Sequence, residues 1–410
     1  MFNVHPYFSL KKTTMKFFVC FLFFAALASC SKKNETPAIV TPVPTPAPIS
    51  TNTIQFVYTS DLHYGLTRTF QGSSVNSEVV NKAMVAQINL LPLAILPNDG
   101  GVNGSYAVGG IDYLVVTGDI STREEPPVQS ATACWAQFNS DYIQGLTLKN
   151  KNNQNTTLLL TCGNHDASDA IGYSKPMSPL TDASSMANIY NLMLSPVIPK
   201  TSSTYNYATD KINYSKDVQG IHFMFVNIWP DSANRVWMAN DLANVSTTTP
   251  VIIFTHDPPT PDPSHFTNPN GAHDINATDQ FENLLEERLK DGKTTSAPTT
   301  IEEQNFVSFL KLHPNIKAYF HGHTNYNQFY TYGGLNSDIS LPVFRVDSPI
   351  KGKISGINAT NGFGNETYLS FQLVTIDLST KNLTARECRW NATGANSQIT
   401  WGSNVTISLK

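Results

Sequence analysis

An α/β layered fold is what this sequence predicts, on three observations. Short apolar runs of strand length recur between residues 54 and 320. Stripes of helical period lie between them. Past residue 340 the helical pattern stops and only strand patterns remain. The strand runs are residues 54–58, 113–116, 157–160, 221–226, 251–254 and 316–320. Val80, Met84, Val85, Ile88 and Leu91 keep helical spacing up to Pro92, a stop signal. Phe281, Leu284, Leu285 and Leu289 make a second stripe closed by Gly292, and residues 301–312 a third, with Pro314 beyond. Runs 373–378 and 383–389 flank Ser379-Thr380-Lys381-Asn382 as a hairpin. The C-terminal part is expected to complete a second sheet.

With 410 residues, 40% of them hydrophobic, the chain has ample material for a packed core. Charged residues make up only 14%, against roughly 25% in an average soluble chain, and Asn, Ser and Thr take their place. That composition suits an extracytoplasmic protein. A net charge of −4 supplies no basic surface, which argues against dedicated nucleic-acid binding. Lys11, Lys12 and Lys16 precede an apolar run at 17–26, too short to span a bilayer and typical of a secretory signal. Leu27-Ala28-Ser29-Cys30 resembles a bacterial lipobox. Residues 1–30 are therefore expected to be a lipoprotein-type signal, and 31–50 a proline-rich tether. Lipidated Cys30 would anchor the chain extracytoplasmically to a bacterial membrane, with plain secretion as the alternative. Ten Asn-x-Ser/Thr triplets from Asn103 onward would also suit a eukaryotic secreted glycoprotein. The residues before Met15 read either as an extended n-region or as a misassigned start. Five cysteines are too few for a disulfide scaffold. Among Cys134, Cys162 and Cys388 at most one disulfide is possible.

The chemistry follows the strands. Five of the six run into Ser60-Asp61-Leu62-His63, Gly118-Asp119, Gly163-Asn164-His165-Asp166, Thr255-His256-Asp257 and His321-Gly322-His323-Thr324-Asn325. One Asp or Asn after a strand is an ordinary turn or cap former. Five successive strand ends bearing carboxylates, imidazoles and amides point instead to a metal centre at the carboxyl edge of the sheets. No G-x-S-x-G elbow, H-E-x-x-H helix or G-x-x-x-x-G-K-[ST] loop offers another chemistry. Cys162 reads as core rather than nucleophile.

In their order, the blocks D-x-H, G-D, G-N-H-D, H and G-H-x-N resemble the calcineurin-like metallophosphoesterase family over roughly residues 52–350. Trp237 and Leu242 fit the W-x-x-x-x-L segment that commonly precedes the fourth block. The resemblance implies a four-layered α/β/β/α sandwich over 51–350, with strands of 351–410 completing or flanking the second sheet. It implies hydrolysis of a phosphomonoester or phosphodiester by two divalent ions of Mn, Fe or Zn and a metal-bound hydroxide. Asp61 and His63 would hold the first ion, Asn164, His256 and His323 the second, and Asp119 would bridge them. His165 would stabilise phosphoryl oxygens or protonate the leaving oxygen, with Asp166 orienting its ring; the other reading of His165 is a structural imidazole fixing the loop.

The last block departs from the family's G-H-x-H. Asn325 stands where a second histidine would join the first ion. A neutral amide is a poorer donor to Zn or Fe, so the first site should bind more weakly or favour a harder ion such as Mn or Mg. His321 is the alternative replacement ligand, or else a satisfied strand histidine. His222, His265, His273 and His313 match no block and read as structural or surface residues. Ile120-Ser121-Thr122 lacks the tyrosine of a purple iron centre. Asp61-Leu62-His63-Tyr64 and His323-Thr324-Asn325-Tyr326 are loosely similar to acid-sphingomyelinase-like members, which cleave phosphodiesters. The connections 71–110 and 257–277 carry no readable substrate code. A non-catalytic or weakly active surface lipoprotein on a degenerate scaffold is the alternative function, and a lipoprotein whose C-terminal sheet serves an assembly is a third.

Overall fold

The structure, a computed structural model, describes residues 52–122, 129–171, 181–266, 284–285, 300–352, 369–391 and 399–410. The expected signal and tether, Phe281, Leu289 and Gly292 of the second helical stripe, and His273 lie outside these residues. The chain opens with β1 (Thr53–Thr59), the hairpin β2 (Thr67–Phe70) and β3 (Ser73–Asn76), α1 (Ser77–Leu90), β4 (Tyr113–Val116) and α2 (Ala131–Phe138). Then come β5 (Thr157–Leu160), α3 (Asn164–Ile171), α4 (Ser184–Leu194), β6 (Tyr214–Val218), β7 (Ile221–Phe225) and α5 (Ser232–Leu242). It closes with β8 (Val251–Phe254), α6 (Thr300–Leu312), β9 (Ile316–His321), β10 (Gln328–Tyr332), β11 (Leu341–Arg345), β12 (Ser370–Asp377), β13 (Asn382–Arg389) and β14 (Thr400–Ser408).

Two six-stranded sheets result, in the orders β14-β13-β12-β1-β4-β5 and β10-β11-β9-β8-β7-β6. The parallel strands are β1, β4 and β5 in the first sheet and β7, β8, β9 and β11 in the second, and the site loops follow the carboxyl ends of β1, β4, β5, β8 and β9. The inward faces share an aromatic core. Phe56 meets Phe223, Phe254 and Phe320 edge-on at 5.7–5.8 Å, and Phe320 stacks on Phe344 at 4.4 Å. Outward residues of the first sheet, such as Val57, Leu114 and Leu160, share a buried cluster with Val80, Met84 and Ile88 of α1 and Phe138 of α2. From the second sheet, the Tyr319 ring packs at a tilt against Phe306 of α6, centroids 6.1 Å apart. Strands covered on both faces read as continuous apolar runs, which is why the sequence reveals them. The expected α/β/β/α layering is the one observed.

The C-terminal strands depart from expectation. They do not complete the sheet of β6–β11; β12 pairs antiparallel with β1 and extends the first sheet. All seven residues of β1 are buried. With β4 on one side, its other edge would leave buried N–H and C=O groups unmet. β12 supplies their partners, and the expected hairpin is β12–β13. Cys134, Cys162 and Cys388 are all free and buried. Burial pushes the Cys134 thiol up to about 12, so it is inert at neutral pH. Among the described residues no helix is long and apolar enough to cross a membrane.

Candidate metal centre

The loops after β1 and β4 are zipped together by their backbones. Asp61 N donates to Gly118 O at 3.0 Å, His63 N to Asp119 O at 2.8 Å, and Tyr64 N to Ile120 O at 3.0 Å. Asp61, His63, Asp119, His323 and Asn325 all hold positive φ, between 42° and 68°. Left-handed backbone at non-glycine residues is costly and persists where the surroundings impose it. The glycines of the blocks are needed for close approach. A Cβ on Gly163 would sit 2.2 Å from Asp119 Oδ1, and one on Gly322 would sit 2.3 Å from Asp61 Oδ2.

The other three expected ligands of the second ion converge on His256. Its Nδ1–H donates to Thr117 O at 2.8 Å, which turns Nε2 toward the site. Nε2 lies 3.1 Å from Asn164 Oδ1, 3.3 Å from His323 Nδ1 and 3.4 Å from Asp119 Oδ2. These separations suit donors sharing one ion at about 2.0–2.2 Å. On the first-ion side, His63 Nε2 stands 3.5 Å from Asp119 Oδ2 and 3.8 Å from Asp61 Oδ1. Asp61 Oδ2 accepts from His323 N at 2.9 Å, whereas Asp61 Oδ1 and both His63 nitrogens are buried without a hydrogen-bond partner. Asn325 Nδ2 donates to His323 O at 3.0 Å, and Asn325 Oδ1 is likewise buried and unpartnered. Orphaned donors in this number are costly unless something else satisfies them. Carboxylate, imidazole and amide donors fit divalent first-row ions on both sides.

His321 offers no vacant donor: Nδ1 lies 2.9 Å from Gly322 O and Nε2 3.0 Å from the Tyr330 hydroxyl. It is a satisfied strand histidine, so Asn325 is the candidate ligand of its block. His165 is half-buried, with its ring edge-on to His63 at 4.8 Å and its backbone N–H donating to Asp119 Oδ1 at 2.9 Å. Asp166 does not orient that ring. Its Oδ1 accepts from Ser121 N, Ser121 Oγ and Ser185 Oγ, and its Oδ2 from Gly163 N and Ile120 N, at 2.7–3.3 Å. It sits in the first turn of α3, where successive side chains diverge by 100° and the third residue reaches back to the helix start.

The charges agree with a cation site. Burial pushes the Asp61 carboxyl up and the His63 imidazole well down, the latter helped by the Lys351 ammonium. Burial also opposes ionisation of Asp119, yet His256, His165 and His63 around it hold it well below the usual range. Against its own burial, His256 is raised to about 10 by Asp119.

Two residues that matched no motif also reach the site. His265 is fully buried, its Nδ1 2.6 Å from Asp257 Oδ2 and its ring 5.1 Å from His323. Asp262 Oδ2 lies 3.0 Å from His323 Nε2. The only sequence signal was a carboxylate and a histidine shortly after the fourth block. His222 is structural as expected, held between Asp217 at 2.8 Å and Asp241 at 2.7 Å.

The chain is similar in structure to a dimetal phosphatase from Danio rerio, at 10% identity and a TM-score of 0.47, over 87% of this chain and 99% of that one. It is also similar to a predicted phosphoesterase from Streptococcus pneumoniae TIGR4, at 8% identity and 0.30, over 87% and 98%. Vps29 from Chaetomium thermophilum matches at 8% identity and 0.29, over 87% and 98%. No curated protein matches the sequence. The family profile described as calcineurin-like phosphoesterase matches residues 54–326, and its span takes in the strand ends from Asp61 to Asn325 that meet in space. With two thirds of its length matched and the metal-ligand types gathered at one edge, the chain belongs to the calcineurin-like phosphoesterase family.

Proposed function

We propose that this chain is a phosphoric ester hydrolase working on a dinuclear centre, with a phosphomonoester or phosphodiester as substrate. The observation that carries the reading is the placement of seven side-chain donors where the carboxyl ends of the two sheets meet, several of them buried and unpartnered. Asp61, His63, Asp119 and Asn325 would hold one ion; Asp119, Asn164, His256 and His323 would hold the other. When bound, Mn, Fe or Zn would supply Lewis acidity toward phosphate oxygens. The chain's own contribution is positional. The zipped loops fix Asp61, His63 and Asp119 relative to one another, and the second sheet brings His256 and His323 against them. His165, half-buried beside His63, would donate a hydrogen bond to a phosphoryl oxygen or a proton to the leaving oxygen.

The test is hydrolysis of p-nitrophenyl phosphate and its bis-ester by stripped protein, with and without added Mn. Turnover that depends on metal supports the reading, and the preferred ester sets the substrate class. Binding of metal without turnover would leave a surface module on the same scaffold. We also propose that lipidated Cys30 tethers the chain outside the cytoplasm, each buried CH₂ contributing roughly 0.8 kcal/mol. Cys30→Ala should move the protein out of the membrane fraction or block its processing; unchanged partition rejects the anchor.

A further inference from the structure

The loop that follows β8 does more than connect it to α6. Asp262 divides its two oxygens between two tasks. Oδ1 accepts from Ser264 N at 2.9 Å and Ser264 Oγ at 2.7 Å, closing its own turn. Oδ2 faces His323 Nε2 at 3.0 Å. On the opposite side of the same ring, His323 Nδ1 lies 3.3 Å from His256 Nε2, within the donor set of the second ion. The loop is braced from beneath by His265, whose Nδ1 meets Asp257 Oδ2 at 2.6 Å and whose N–H donates to Asp262 O at 3.2 Å. Asp257 Oδ1 stands 3.9 Å from His323 Nδ1, buried and without a hydrogen-bond partner.

We propose that Asp262 is the positioning residue of the second metal site: it accepts the Nε2–H of His323 and so leaves the Nδ1 lone pair facing the ion. This rests on the dinuclear reading above. A carboxylate cannot donate a hydrogen bond when ionised, so the proton between these two groups belongs to the ring. An imidazole that gives one N–H to a carboxylate has its tautomer and orientation fixed, and its other nitrogen becomes a stronger donor. The turn at Ser264 decides what an amide would do here. Ser264 N can only donate, so the amide oxygen of an Asp262→Asn side chain must take the Oδ1 position. Its NH₂ then points at His323 Nε2 and draws the lone pair there, which moves the proton to Nδ1, against the ion.

The experiment is calorimetric titration of stripped protein with zinc alone, paired with ¹⁵N imidazole spectra of the zinc-loaded protein. Wild type should bind two ions, with His323 protonated on Nε2. Asp262→Asn should weaken one of the two by about 10–100-fold, leave the other unmoved, and shift the protonated nitrogen to Nδ1. Ser264→Ala, which loosens the turn and spares Oδ2, should keep both ions at wild-type affinity. The proposal is overturned if Asp262→Asn binds both ions as tightly as wild type. It is equally overturned if Ser264→Ala costs as much affinity, or if affinity falls while Nε2 stays protonated. Failure of the wild type to bind zinc would instead strike the dinuclear reading itself.

Discussion

His256 Nε2 has three donors within 3.4 Å, and its other nitrogen is tied to Thr117 O. His63, the corresponding imidazole on the first-ion side, has neither ring nitrogen hydrogen-bonded, and the carboxylate oxygens facing it stand 3.5 and 3.8 Å away. The second-ion side is also richer in carboxylates, since Asp257 and Asp262 flank His323 in addition to Asp119. On the first-ion side the neutral Asn325 replaces an imidazole, and Lys351 adds positive charge near His63. Burial costs that charge and hydrogen bonding repay on one side are left standing on the other. The two ions should therefore not bind alike: the second-ion donors lie close together and are flanked by extra carboxylates, whereas on the first-ion side Asp61 Oδ1, the His63 nitrogens and Asn325 Oδ1 are held in place but unpartnered.

The change that should break both sides at once is Asp119→Ala. It removes the carboxylate facing His63 at 3.5 Å and His256 at 3.4 Å. Both ions should be lost and turnover should fall by more than ~100-fold, a larger loss than an outer contact produces. Single-sided variants separate the halves. His256→Ala should leave protein with only the first ion, and His63→Ala protein with only the second. Elemental analysis after dialysis against limiting metal reads the stoichiometry, and equal loss of both ions in both variants would refute the asymmetry.

His165 and Asp166 are adjacent in sequence and should separate in kind. His165→Asn should lower kcat by roughly 10²–10⁴-fold with metal content unchanged, if the ring handles a proton at the leaving oxygen. Asp166→Ala strips acceptors from three backbone N–H groups and two hydroxyls. It should cost ~3 kcal/mol or more of stability, read from the denaturant midpoint, because buried donors are left unmet. A stable Asp166→Ala protein with an altered pH profile would restore the ring-orienting role that the geometry denies it.

What the sequence made legible is local. A strand that ends in Gly-Asp or Gly-Asn-His-Asp carries its ligand within a few residues of an apolar run, so Asp119 and Asn164 announce themselves. The layering was legible for the same reason, since the central strands are buried on both faces. Contacts between distant segments were not. β12 meets β1 across more than three hundred residues, and nothing in either run says which sheet it joins. Asp262 reaches His323 from a proline-rich loop that carries no ligand motif. The role expected of Asp166 failed on a helical point: neighbours i and i+1 on a helix do not share a face.

The smallest effect, and the sharpest test of the comparison, belongs to Asn325. Its Oδ1 is buried without a partner, and its Nδ2 is held by His323 O at 3.0 Å, so the amide is oriented rather than free to swing. Its φ of 60° suits asparagine better than histidine, so Asn325→His carries some backbone strain. Imidazole is nevertheless the stronger donor to Zn or Fe and scarcely better than an amide toward Mn or Mg. The variant should therefore tighten the weaker of the two sites by on the order of tenfold for zinc, about 1.4 kcal/mol, with little change for magnesium. The tighter site should not move. Titration of stripped protein with each metal separately reads both sites. If the zinc affinity of the weaker site is unmoved while Asp119→Ala still abolishes binding, Asn325 is not a ligand, and Asp61, His63 and Asp119 hold the first ion alone.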